Sequence, residues 1–185
     1  MLNWQKVGIV FPGAKRVHRN AVVLQNPHNE AVRVNGKFVM YINFGLMAYS
    51  EDMIHWESRS VSHSFPGDEG CFALADHDSA NPDDIVLFTG GNHTGHFYAA
   101  GQVRFSKTNL EKPIAYLPRP FLAADTTIPW ENGFADQERK NFISAYADCI
   151  FFNGLTLHNG KWWLYYGGSE YFTCLATAPA KSLLK

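Results

Sequence analysis

Asn29-Glu30-Ala31-Val32-Arg33-Val34-Asn35-Gly36-Lys37-Phe38-Val39-Met40-Tyr41 returns 124 residues later as Asn153-Gly154-Leu155-Thr156-Leu157-His158-Asn159-Gly160-Lys161-Trp162-Trp163-Leu164-Tyr165. In both copies a short apolar run ends at Asn-Gly, and a second apolar run begins after Lys. Asn-Gly between such runs predicts a β-hairpin, because a type I′ turn needs positive φ at both central residues. Each copy continues into a small-residue strand, Gly45-Leu46-Met47-Ala48-Tyr49-Ser50 and Cys174-Leu175-Ala176-Thr177-Ala178.

A third, degenerate copy lies between them. Its strands are Cys71-Phe72-Ala73-Leu74-Ala75, Asp84-Ile85-Val86-Leu87-Phe88 and Ala99 through Ser106. After the first copy, Met53-Ile54-His55-Trp56 opens a fourth, outer strand, and the phrase echoes Met1-Leu2-Asn3-Trp4, 52 residues earlier. Pro113, Pro118, Pro120 and Pro129 mark a long loop. Units of four short strands, repeated at roughly 50 to 75 residues, predict an all-β chain of antiparallel β-propeller blades. The competing reading is an open antiparallel sandwich, which the turn-by-turn match of the repeats disfavours. The expected division is a single partial propeller domain over 1–185. Residues 1–15 give the outer strand of a preceding blade, and 16–65, 66–125 and 126–185 give three blades. Three blades fall short of the usual minimum of about four, so a truncation or a partner-dependent half is expected.

Apolar residues make up 46% of the 185 residues and charged residues 18%, with a formal net charge of −1. That balance is globular and lacks the basic excess of a nucleic-acid binder. No run of 18 apolar residues suggests a membrane span, and Met1–Lys6 lacks the apolar core of a leader; the expected location is cytoplasmic. Cys71, Cys149 and Cys174 are widely spaced and odd in number, so they are read as buried free thiols, not a disulfide frame or a metal pair. No metal or resident cofactor is expected.

Several residue types could serve carbohydrate chemistry. First strands of a propeller point their ends at the central axis, so the polar residues opening them are candidates for binding sugar hydroxyls: Glu30, Asp68, Asp148 and Asn153. Lys15-Arg16-Val17-His18-Arg19 precedes the apolar strand Ala21-Val22-Val23-Leu24, and strand alternation places His18 and Arg19 on opposite faces. Such groups could hold an anion. Tyr171, Phe172 and Trp130 sit in expected loops where they could stack on a sugar, whereas Trp162 and Trp163 read as core.

The stretch Cys149-Ile150-Phe151-Phe152-Asn153-Gly154 through Tyr165-Tyr166-Gly167-Gly168-Ser169-Glu170, closing with Cys174-Leu175-Ala176-Thr177-Ala178, resembles the final blade of glycoside hydrolase family 130, the β-mannoside phosphorylases and related hydrolases. Ala48-Tyr49-Ser50-Glu51-Asp52-Met53-Ile54-His55-Trp56 resembles the same family's blade ending. The resemblance implies a five-bladed propeller with an inverting reaction on its axis. A single Asp general acid is implied upstream of this chain, and phosphate or water attacks the anomeric carbon. It further implies that Glu170 is a sugar-binding acid and that Arg19, beside His18, holds phosphate. Gly90 stands where the family has a His in a Tyr-His-Gly turn, which favours hydrolysis; His93 and His96 lie a few residues on, and His93 is the candidate substitute.

The expected function is therefore a carbohydrate-active enzyme, or part of one, acting on β-mannosides by inverting phosphorolysis or hydrolysis. Inorganic phosphate is the implied co-substrate and an oligosaccharide the implied partner, with a second copy or a missing N-terminal half completing the ring. The alternatives are a non-catalytic glycan-binding propeller fragment and an arabinan- or xylan-type five-bladed glycosidase.

Overall fold

The protein is described by a computed structural model over residues 3–14, 20–43, 45–61, 65–67, 69–78, 80–93, 98–131, 149–169 and 171–180. These residues form twelve strands in three antiparallel sheets. The first sheet contains β1 (Val22–Val23), β2 (Arg33–Val34), β3 (Lys37–Ile42), β4 (Leu46–Ser50) and β5 (Glu57–Ser60). The Asn35-Gly36 turn joins β2 to β3 with φ of 51° and 81°, as the hairpin signal requires. Both β1 and β2 pair with β3, Val22 opposite Tyr41 and Arg33 opposite Phe38, so two short pieces share one strand position. Between them the chain folds back through an Asx turn: Asn26 Oδ1 accepts from the N–H groups of His28 (2.9 Å) and Glu30 (3.0 Å).

The turn from β4 to β5 is set by Ser50 and Asp52. Ser50 Oγ accepts from Met53 N–H at 2.8 Å, and the Asp52 carboxylate accepts from the N–H groups of Ile54 and His55, both at 2.8 Å. Trp56 then donates its indole N–H to Met53 C=O at 2.9 Å and leads into β5.

The second sheet runs in order β6 (Glu69–Ala75), β7 (Asp84–Gly90), β8 (Gly101–Ser106) and β9 (Ala115–Tyr116). The strand β9 lies within the stretch expected as a proline-marked loop; the four residues between Pro113 and Pro118 lie along β8, too few for a periodic signal. The third sheet is β10 (Ile150–His158), β11 (Lys161–Gly168) and β12 (Phe172–Pro179), joined by Asn159-Gly160 with φ of 49° and 69°. Among the described residues no strand pairs with the far edge of β12.

Residues 3–9, within the segment expected as the outer strand of a preceding blade, pair with no strand among the described residues, and Trp4 is 89% exposed.

The sheets stack with the second in the middle. Alternate residues of its strands point to opposite neighbours. Ala73, Ile85, Leu87, Val103 and Phe105 pack with Leu24, Val39, Tyr41 and Met47 of the first sheet. Leu74, Val86 and Phe88 pack with Ile150, Phe152, Trp162, Leu164 and Tyr166 of the third. Burial on both faces explains why β7 reads Ile-Val-Leu-Phe without polar alternation, since each such side chain withdrawn from water contributes about 1.5–3 kcal/mol. On its other face the first sheet carries Met40, Ile42, Leu46 and Ala48, partly covered by Phe11 and Trp56.

Main-chain bonds tie the sheets at their inner edges. Gln25 N–H donates to Ala73 C=O (3.0 Å) and Ala75 N–H to Gln25 C=O (2.9 Å), a parallel bridge. Tyr98 and Cys149 form a second parallel bridge. The first strands of the three sheets therefore run in the same direction, so corresponding sheet ends lie together.

Candidate functional site

One end of the stack is where every first strand begins and every second strand finishes. Buried polar side chains collect there: Asn43 after β3, Glu69 at the head of β6, Thr89 near the end of β7, His93 just beyond it, and Ser169 after β11. Burying polar groups is costly unless they are satisfied, so their clustering at one end marks a constructed environment. Two glycines make room for it. A Cβ on Gly101 would collide with His93 Nε2 and meet Thr89 Oγ1 at 2.7 Å, and one on Gly67 would meet Thr89 Oγ1 at 2.6 Å. Thr89 donates to Pro66 C=O at 3.3 Å and is held between those glycines. The neighbouring Cys71 thiol is pushed up to about 12 by burial and by the Glu69 carboxylate, which keeps it protonated and unreactive at neutral pH.

The third sheet adds a second buried acid. Tyr166 donates its hydroxyl to Glu131 at 2.5 Å, and Asp125 N–H donates to the other carboxylate oxygen at 2.7 Å. Burial, then the bond to Glu131, raises the Tyr166 hydroxyl above its ordinary range, so it stays a donor. The pairing pins the 125–131 segment against β11, where Trp130 C=O sits 2.7 Å from where a Gly168 side chain would begin. Trp130 is left 46% exposed beside this turn, and Tyr171, 48% exposed, stands at its far side with its ring edge-on to Phe172 at 5.1 Å.

The structure brings His93 and Tyr171 to this end. His93 is buried and not part of an open loop. Glu30 is not brought there. It is exposed on the Asn26–Glu30 turn, on the side of the β2–β3 hairpin, and its carboxylate accepts from the Asn26 amide at 2.8 Å. The chain doubles back after Gln25, so Glu30 opens a second piece of the strand position and not its first residues. Asn153 is the extra residue of a bulge in β10. With its amide turned to satisfy both neighbours, it accepts from Gly167 N–H (3.3 Å) and donates to Phe152 C=O (3.2 Å), a local role. His18, Arg19, Asp68, Asp148 and Glu170 lie outside the described residues.

Sequence reasoning passed over Asn43, Thr89, Ser169 and Glu131. The signal available was a polar residue directly ending an apolar second strand, as Asn43 ends Lys37–Ile42. Among the described residues no group of three or more His, Cys, Asp or Glu could hold a metal ion.

No family model matches the chain, and no curated protein does. Solved structures do. A Parabacteroides distasonis protein assigned as a glycoside hydrolase is 25% identical with a TM-score of 0.70, covering 99% of this chain and 58% of its own. A structure from work on GH130 mannoside phosphorylases, and on hydrolases among them that target β-1,2-mannosidic linkages in Candida mannan, is 22% identical with a TM-score of 0.72 over 97% and 55% of the two chains. The fold is that of the GH130 enzymes. A third match, the β-1,2-mannobiose phosphorylase of Listeria innocua in complex with β-1,2-mannobiose, is 13% identical with a TM-score of 0.65, covering 95% of this chain and 47% of its own. The chain spans about half the length of the solved structures it matches.

Proposed function

We propose that the chain forms three blades of a five-bladed propeller and carries the sugar-facing part of a carbohydrate-active enzyme that acts on β-mannosides. The observation that carries this reading is the alignment of buried polar residues at one end of three parallel-running first strands, in a fold shared with glycoside hydrolases and mannoside phosphorylases. In sequence, Asp68, Asp148 and Glu170 adjoin Glu69, Cys149 and Ser169 at that end, and His18 and Arg19 come just before β1. Carboxylates at such positions bind sugar hydroxyls, and the basic pair together with His93 suits phosphate. Inverting transfer needs a proton donor on one face of the glycosidic bond and the attacking phosphate or water on the other. The donor is assigned to a part of the enzyme outside this chain.

A second reading, a glycan-binding module without catalysis, draws support from exposed Trp130 and Tyr171 flanking the Gly168 turn, since aromatic faces stack on sugars. One experiment separates the two. The chain is incubated with β-1,2- and β-1,4-mannobiose and with 2,4-dinitrophenyl β-mannoside, whose leaving group departs without a proton donor, each with and without inorganic phosphate, and products are resolved by chromatography. Mannose 1-phosphate marks phosphorolysis and free mannose marks hydrolysis. Quenching of tryptophan fluorescence by mannobiose without any product supports the binding module, and neither turnover nor quenching with mannosides overturns both.

A further inference from the structure

Residues opposite each other in neighbouring strands share a face of the sheet. Glu57 stands opposite Tyr49 and Arg59 opposite Met47, so both charged residues of β5 lie on the face turned toward the second sheet. A face packed on a neighbouring sheet calls for apolar residues. Glu57 and Arg59 instead stay exposed and bond to each other at 2.6 Å, while Ser58 and Ser60 take the other face. Along this edge a groove of about 380 Å³ opens between the first and second sheets. It lies at the end where second strands begin and third strands finish, opposite the buried polar end described above.

The groove has an apolar floor and a polar rim. Val34 and Leu110 are buried beneath it, and half-buried Tyr49 lies between them, its hydroxyl donating to Glu111 at 3.5 Å. Lys37, Glu57 and Arg59 form the wall on the first sheet, and the turn Lys107-Thr108-Asn109 after β8 forms the other. Both walls are fastened. The Arg33 guanidinium donates to the C=O groups of Gly36 (2.6 Å) and Glu51 (2.8 Å) and lies 3.9 Å over the Phe38 ring, tying the Asn35-Gly36 turn to the end of β4. Across the groove, Lys107 N–H donates to Asp83 C=O at 2.8 Å and Asn109 N–H to Ser106 C=O at 2.9 Å. Little ordering cost is then left to oppose a ligand.

Charge selects what fits. Three cations line the groove, yet each already has a carboxylate: Lys37 with Glu51 at 3.8 Å, Arg59 with Glu57 at 2.6 Å and Lys107 with Asp76 at 2.6 Å. An anion would have to displace those partners. A neutral polyol would not, because its hydroxyls accept from the cations and donate to the remaining lone pairs of the carboxylates. The Tyr49 ring offers the apolar surface on which one face of such a molecule can rest. The volume falls within the range of small-molecule sites, about 300–1,000 Å³.

We infer that this groove is a second saccharide site, which holds a neutral sugar unit of a glycan at the end of the stack opposite the candidate site. The inference rests on the mannoside reading only for which sugar is bound.

The test is ¹H–¹⁵N NMR of the labelled 185-residue chain as β-1,2-mannobiose, cellobiose or inorganic phosphate is added. Mannobiose should shift the amides of Glu57, Arg59, Lys107 and Asn109 saturably. Glu57→Ala and Arg59→Ala should each weaken that binding about tenfold, the loss of a hydrogen bond to a charged group. Both side chains are exposed on an outer strand, and unchanged amide positions elsewhere verify that the variants fold. Shifts in the groove with cellobiose alone also support the site and assign it a sugar other than that of the proposed reaction. Thr89 and Ser169 report separately on the end proposed for that reaction. Three results overturn the inference. One is a groove unmoved by either disaccharide, and another is a groove moved by phosphate in place of sugar. The third is saccharide binding whose dissociation constant is the same in both variants as in the unaltered chain.

Discussion

Tyr166 and Glu131 are both buried, and each supplies what the other lacks: a donor for a carboxylate and an acceptor for a hydroxyl. Removing one partner strands the other, which costs more than the bond itself contributes. Tyr166→Phe should therefore lower stability by about 1–3 kcal/mol, read as a shift of the urea midpoint at unchanged slope. Neither residue stood out in the sequence. Tyr166 alternates like any strand aromatic, and Glu131 lies in a proline-bounded loop 35 residues away. Their meeting is a product of tertiary packing, which local pattern does not encode.

Among the elements, the two Asn-Gly hairpins were the most legible, because the physical demand is local. Asn159 and Gly160 hold φ of 49° and 69°, a region open to glycine and tolerated by asparagine. A Cβ on Gly160 would meet nothing within 4 Å, so any cost of Gly160→Ala is backbone strain alone. The expected loss is about 1–2 kcal/mol in denaturant unfolding. The strands β2, β3, β4, β6, β7, β8 and β10–β12 followed from apolar runs bounded by such turns. The strand β9 did not, because Ala115 and Tyr116 pair only where β8 happens to offer Arg104 and Val103. Glu30 lies where it does for a related reason. Its strand opening is real, but the Asn26 Asx turn splits the strand position in two and leaves the carboxylate exposed on the turn between the pieces.

At the scale of the whole molecule, the second sheet is held from both sides. Leu87 packs toward the first sheet and Phe88 toward the third. Leu87→Ala and Phe88→Ala should each cost about 2–5 kcal/mol by calorimetry or denaturant, whereas Tyr116→Ala on the exposed β9 should stay within about 0.5 kcal/mol. The candidate site belongs to this scale too. Asn43, Glu69, Thr89 and Ser169 are spread over 127 positions of sequence and converge only because the sheets stack with their first strands running the same way. That stacking rests on peptide groups along the rim: Gln25 with Ala73 and Ala75, and Ile150 N–H with the C=O of Tyr98, in the connection from β7 to β8, at 3.2 Å. Every residue but proline brings an N–H to such a bond. A lineage could thus exchange nearly any side chain along that inner rim, and so drift from one ligand to another, while the scaffold holding the rim kept its shape.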